Sequence, residues 1–398
     1  MKAKSCLIQM ILFAVVIIIP AVTVAEVRSI KVGLLTPMTG LNPPFGKGQD
    51  IALHLALEAV NARGGINGVE VKGMVYDTGG HPDKLEWAKE RLRRLADKDQ
   101  VLAVIGPFYS FECQALFPVA NEVKTPLIAT ASSKPGLSDL EKYPYAFRMT
   151  VTEDKMAAVQ LKAWVKAHQI KGVAIIYDKK DPTASTMGKR VWPVILKKLG
   201  IEIVNESHPI TFITEQRDFH NHVKQLLSCN PDGICISAFD KEAAHIAKEI
   251  RHQGSGAPLC GRNQSLSNEF IRIAGPAAEG FWAVGLFYPV DPNPKVQEYV
   301  KAFTERCTQK YPREECTPEQ YDVVVYDIVH FIADIMKKRG ISGDPERLQE
   351  ERDKIRDGLA HMGVWRGTAG MMAFDKKGDG IRTIHVLKVK DGTWQPAY

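Results

Sequence analysis

Residues 101–133 read VLAVIGPFYSFECQALFPVANEVKTPLIATASS. Val101 to Pro107 is a short apolar run of the kind shown by a strand buried on both faces, and Leu127 to Thr130 is a second one. Between them, Phe111 to Val123 spaces its apolar residues for a helix. A strand, a helix and a strand over this length make a parallel crossover, because parallel neighbours need a long return connection.

The same grammar extends in both directions. Ile30 to Pro37 and Val71 to Asp77 read as strands, and Gln49 to Arg63 as a helix stopped by Gly64 and Gly65. Pro82 opens a helix whose Leu85, Ala88, Leu92 and Leu95 fall three and four residues apart. After Phe147-Arg148-Met149 the alternation starts again. Helices are expected over 156–168, 187–199, 219–228 and 241–253, and strands over 172–178, 201–206, 233–239 and 258–260. Beyond 280–284 come helices over 296–309 and 317–339, then a two-strand ending whose Asp375-Lys376-Lys377-Gly378-Asp379-Gly380 suits a hairpin turn better than a calcium loop. The fold class is therefore α/β: two doubly wound, Rossmann-like parallel-sheet lobes joined by a hinge.

The 398 residues suffice for two or three domains, and 45% hydrophobic with 25% charged is ordinary for folded protein. The net charge of +6 is spread among acids along the chain without aromatic interleaving, which argues against nucleic acid as a partner. Lys2 and Lys4 precede the apolar run Leu7 to Ile19 and the small residues Thr23-Val24-Ala25. This is the pattern of a secretory leader over 1–25, with cleavage favoured over retention as an anchor. A soluble exported protein, in an oxidising compartment, is expected. Cys307 and Cys316 bracket a polar, Pro-containing loop and are a candidate disulfide. Cys235 and Cys260 either pair across neighbouring strands or stay as buried thiols. No His/Cys set has metal-ligand spacing, and a solvated helix face accounts for His220-Asn221-His222, so neither metal nor cofactor is expected.

In open α/β sheets, ligands bind beyond the carboxyl ends of the strands. There Phe108-Tyr109-Ser110 runs straight into a helix. Ser110 either caps that helix or, with the free amides beside it, offers donors to a carboxylate. Ala131-Ser132-Ser133 ends the next strand in small and hydroxyl residues, either as a polar turn or as the other half of one anion pocket.

The segments TPMTGLNPPFGKGQDIALHLALEAVNARGGING, VIGPFYS, PLIATASS, YAFRMT and GVAIIYD, in that order, resemble the substrate-binding proteins of ABC importers of the leucine/isoleucine/valine-binding type. The likeness runs from about Val27 to Trp394. It implies a type I periplasmic binding protein fold whose lobes are discontinuous: 26–148 with 286–380, and 149–285 with 381–398. It implies a periplasmic, monomeric, non-enzymatic protein that hands a branched-chain or related amino acid to permease subunits in the inner membrane. By the same resemblance, Ser110, Ala131 and Ser133 hold the ligand's carboxylate, Phe45 and the neighbouring Tyr109 line the side-chain pocket, and Phe239 closes over it from the second lobe.

One position departs from the family. Where its members pair the ligand's ammonium with a glutamate, this chain has Asn263. An ammonium without an ionic partner in a closed cleft loses about 3–5 kcal/mol, two or three decades of affinity. Either another acid substitutes, with Glu153 and Asp240 nearest, or the ligand is a carboxylate or amide with no ammonium. An exported hydrolase is the first rival reading, but GxSxG, SxxK and a metal set are missing from the sequence. A detached sensor of the same fold is the second.

Overall fold

The computed structural model describes residues 28–398; the leader expected over 1–25 lies outside the described residues. The chain opens with β1 (Ser29–Thr36), α1 (Pro43–Ala62), β2 (Glu70–Asp77), α2 (Leu85–Asp97), β3 (Ala103–Ile105), α3 (Ser110–Glu122), β4 (Leu127–Ala129) and β5 (Ala146–Arg148). These strands form one parallel sheet in the order β2-β1-β3-β4-β5. Its residues alternate between two cores. Ile30, Val32, Leu34 and Ile105 pack towards α1, while Leu35, Val104 and Leu127 pack against Leu92, Leu95, Leu116 and Phe117 of α2 and α3. That two-sided burial is why the strands read as continuous apolar runs.

The second sheet is built from α4 (Glu153–His168), β6 (Gly172–Asp178), α5 (Pro182–Thr186), α6 (Trp192–Lys198), β7 (Glu202–Ile203), β8 (Ile210–Phe212), α7 (His220–Ser228), β9 (Gly233–Ser237), α8 (Asp240–His252), β10 (Leu259–Gly261), α9 (Asn268–Ala274) and β11 (Trp282–Gly285). Its parallel part runs β11-β10-β9-β6, with β7 and β8 both on the far edge of β6. The chain then returns to the first core through α10 (Pro294–Lys310), α11 (Gln320–Lys338) and α12 (Leu348–His361). A small antiparallel sheet of β12 (Trp365–Gly367), β13 (Gly370–Phe374) and β14 (Gly380–Arg382) follows. Finally β15 (His385–Lys390) and β16 (Thr393–Pro396) extend the second sheet antiparallel to β11.

Each sheet reverses its winding direction once, between β1 and β3 in the first and between β6 and β9 in the second. Crevices open beyond the carboxyl ends of the strands at these points. Gly106 shapes the first one: its φ is +105°, and a Cβ there would sit 2.1 Å from the Leu35 carbonyl oxygen. Only glycine lets the chain leave β3 this close to β1.

Several local expectations change. The helix expected over 187–199 forms but begins earlier, at Pro182, and widens to a π-turn over Met187–Val191 just before Pro193, which supplies no N–H to the preceding turn. The charge-rich α12 had no place in the sequence reading. The 375–380 segment is the turn joining β13 to β14, and its Asp379 pairs with the buried Arg148 at 2.5 Å. Cys307 and Cys316 are joined by a disulfide. Cys235 and Cys260 face each other directly across β9 and β10 as unbonded thiols, with sulfurs 3.2 Å apart.

Candidate ligand-binding site

Phe108, Tyr109 and Ser110 stand at the carboxyl end of β3, and Ala131 to Ser133 at that of β4. Ser110 is the first residue of α3 and does not cap it; the cap position is Tyr109, whose N–H donates to the Glu112 carboxylate at 3.0 Å. The Ser110 hydroxyl is thereby freed from capping. It accepts from the Ser132 hydroxyl at 3.0 Å and from the Lys134 N–H at 3.4 Å, so the two strand ends meet at one oxygen. Arg148 fixes this loop from behind. Its guanidinium donates to the carbonyls of Ser132 and Lys134 at 3.4 and 2.5 Å and pairs with Asp379. The Ser132 and Lys134 carbonyls are thus turned towards Arg148, while the Ser132 hydroxyl and the Lys134 N–H point to the Ser110 oxygen.

An aromatic wall stands beside these donors. Phe45 stacks on Phe108 with ring centres 4.9 Å apart, and Tyr321 from α11 meets both edge-on at 4.9 Å. Tyr109 touches Phe108 and Phe111, and Ala131 is buried in the same cluster. From the second lobe, Phe239 approaches Tyr109 edge-on at 6.0 Å. Burial drives the Tyr109 hydroxyl well above its ordinary pKa, so it stays protonated.

The side of the cleft beyond β6 and β10 is ionic. Arg262 is 1% exposed and lies over the Phe239 ring at 5.7 Å. Its Nη1 meets Asp181 Oδ2 at 3.1 Å and its Nε lies 3.6 Å from Glu153 Oε1. It also donates to Gln264 and, at 3.3 Å, to the Ala238 carbonyl. Burial alone would lower its pKa, but Glu153 and Asp181 hold it above the usual arginine value. Glu153, at the start of α4, accepts from the Ser133 hydroxyl at 3.1 Å, and its N–H donates to the Ser133 carbonyl at 2.8 Å. Burial raises its pKa against the opposing charge of Arg262.

The structure places Tyr109, Ser110, Ala131 and Ser133 just beyond strands β3 and β4 and Phe239 and Asn263 just beyond β9 and β10, with Phe45 from the first turn of α1 and Glu153 from the start of α4 beside them. Asn263 is buried; its carbonyl accepts from Gln320 at 3.0 Å and Tyr321 at 3.3 Å, and its side-chain oxygen has no partner. Asp240 does not serve as a spare acid. It accepts from Asn42 at 3.0 Å, from Ser267 at 2.9 Å and from the Lys241 N–H at 3.0 Å. The Asn42 bond spans the two lobes, as does that of Lys241 Nζ to the Leu41 carbonyl at 3.0 Å, so the cleft is closed. A cavity of about 290 Å³, lined by Phe45, Tyr109 and Phe239 among others, opens at its margin. That cavity does not reach Ser110, Ala131 or Ser133.

Sequence reasoning missed Arg262, Asp181 and Tyr321. Arg262 stands immediately before Asn263 at a strand end, where a charged residue is itself a signal. Tyr321 carries none, since only the return of α11 places it beside Phe45.

A model of the periplasmic binding protein family matches residues 29–393. The Leu/Ile/Val-binding protein homolog 2 of Brucella abortus is 26% identical over 374 residues, covering 92% of this chain and 92% of that protein. A leucine binding protein from Thermotoga maritima superposes with a TM-score of 0.78 at 24% identity, over 93% of this chain and 98% of that one. A solute binding protein of an ABC transporter from Rhodopseudomonas palustris, in complex with 3,4-dihydroxybenzoic acid, gives 0.76 at 22%, over 92% and 95%. With two Rossmann-like lobes closing on a donor-lined cleft and the match extending over nearly all described residues, the chain belongs to the periplasmic binding protein family.

Proposed function

We propose that this chain is the exported substrate-binding component of an ABC importer, capturing a small carboxylate between its lobes and delivering it unchanged to the permease. The observation that carries this reading is the convergence of Ser110, Ser132 and the Lys134 N–H at the ends of β3 and β4, under an aromatic wall and opposite Phe239 of the other lobe. Neutral donors at strand and helix termini hold an anion without a counter-ion. The lobes are taken as 26–148 with 286–380, and 149–285 with 381–398, so three chain crossings near 149, 286 and 381 form the hinge. Because the serines are shut inside, the ligand enters an open form, and contacts to both lobes then favour closure. Relatives named for leucine, isoleucine and valine binding support an amino acid; the relative bound to dihydroxybenzoic acid supports a non-amino acid.

Calorimetry of the purified protein against leucine, isoleucine, valine and benzoate tests this. Saturable binding of at least one carboxylate, with contraction of the particle in solution scattering, is expected. A protein that binds none of them and does not change shape is not a solute receptor of this kind.

A further inference from the structure

We infer that Gln320 and Tyr321, the first two residues of α11, are positioning residues that favour the closed cleft by gripping the Asn263 carbonyl of the other lobe. A buried relay of uncharged hydrogen bonds ties the same pair to the hinge and to the proposed anion loop. This rests on the carboxylate-binding reading above and adds to it the residues through which one lobe holds the other.

The grip itself crosses the cleft. Asn263 follows β10 of the second sheet, whereas α11 packs in the core of the first. Its carbonyl lies 3.0 Å from Gln320 Nε2 and 3.3 Å from the Tyr321 hydroxyl, so one turn of α11 uses both of its lone pairs. Gln320 also touches the hinge. Its Oε1 accepts from the Leu286 N–H at 3.1 Å, beside the chain crossing near 286. Rotation at that crossing works against its second bond, to Asn263.

Tyr321 joins the ligand side. Its ring meets Phe45 and Phe108, and its main-chain carbonyl accepts from Gln49 Nε2 at 3.2 Å. Gln49 also donates to the Thr130 hydroxyl at 2.9 Å and accepts from the Thr36 hydroxyl at 2.7 Å. The Thr150 hydroxyl, beside the crossing near 149, donates to the Thr130 carbonyl at 2.7 Å. Thr130 immediately precedes Ala131-Ser132-Ser133. These six side chains, Gln320 included, are all buried, and buried polar groups that are paired hold one another in a single arrangement. A ligand resting on the ring of Tyr321 and on the loop after Thr130 therefore steadies the two residues that hold Asn263, and binding and closure reinforce each other.

Stopped-flow fluorescence with leucine, isoleucine, valine and benzoate as probes tests this. Tyr321→Phe keeps the ring and removes only the hydroxyl; Gln320→Met keeps the length of the side chain and removes both of its bonds. Each is expected to release a bound probe roughly fivefold faster while association changes less than about twofold, and the double variant roughly twentyfold faster. If Gln320→Met does not fold, Tyr321→Phe, which leaves the packing whole, still decides. Release from Tyr321→Phe at the wild-type rate overturns this inference while leaving the carboxylate-binding reading standing. A loss that falls on association instead overturns it as well, because the hydroxyl then serves the open pocket and not closure. Binding of none of the four probes by the wild-type protein overturns both.

Discussion

Two corners of the molecule are built alike and face each other across the cleft. In the first lobe, Tyr109-Ser110-Phe111-Glu112 leads from β3 into α3; in the second, Phe239-Asp240-Lys241-Glu242 leads from β9 into α8. Each places an aromatic at the helix cap and a glutamate three residues on, with its pKa raised to about 7 by burial. They differ at the first helical residue. Ser110 leaves a neutral hydroxyl at a helix N-terminus, which welcomes an anion, whereas Asp240 fills the same place with a carboxylate that ties the lobes together through Asn42. Similar backbone geometry thus makes the proposed ligand site in one lobe and an interlobe tie in the other, and the two corners differ at that first helical side chain.

The sharpest way to break the comparison is to copy the second corner into the first. Ser110→Asp should place a carboxylate against the ligand's own and weaken binding by about 3–5 kcal/mol, with the fold intact by circular dichroism. If binding survives, Ser110 is not at the anion site.

The shared glutamates come next. Both have folded-state pKa values above the ordinary carboxylate value of 4.5, so the native state binds more protons than the unfolded one between pH 4.5 and about 7. Stability should therefore fall as pH rises through this window, each glutamate contributing up to about 1.4 kcal/mol per pH unit. Glu242→Gln should flatten part of that slope in urea titrations at a series of pH values. An unchanged slope would show that its burial carries no such cost.

Ser110→Ala removes the oxygen that accepts from both the Ser132 hydroxyl and the Lys134 N–H, which should weaken ligand binding by about 1 kcal/mol with little change in Tm. Asp240→Asn keeps the shape of the latch and removes its charge. It should weaken ligand binding by about 0.5–1 kcal/mol, seen as a larger particle in scattering at subsaturating ligand. A larger effect from Asp240→Asn than from Ser110→Asp would invert the assignment of the two corners.

The first corner was legible in the chain itself; in the second half of the cleft Phe239, Asn263 and Glu153 came only from the family resemblance, and the ion pairs of Arg262 did not come at all. Phe108-Tyr109-Ser110 and Ala131-Ser132-Ser133 are local signals: an apolar run ends in small or hydroxyl residues before a helix, and burial of the run places them. Even there, capping of α3 by Ser110, one of the two alternatives, does not occur, because the helix begins at Ser110 and the cap position falls on Tyr109. The ionic side depends on separation. Arg262 meets Asp181 and Glu153 from 81 and 109 positions away, and Arg148 meets Asp379 from 231, distances at which no pattern operates. The helix α12 escaped for a related reason. Its inward face includes Glu351 and Arg352, buried through bonds to Ser342, Gly343, Ala96 and Val101 instead of by apolar character.

Alternating apolar runs and amphipathic helices were enough to determine two wound parallel sheets and to put small, donor-rich loops at their carboxyl ends, because burial on two faces imposes that pattern residue by residue. Tertiary structure alone decided which charges meet in the cleft and that Arg262 lies between the acids. Ion pairing depends on distance in space, and distant segments reach that distance only when both sheets are formed and closed on one another.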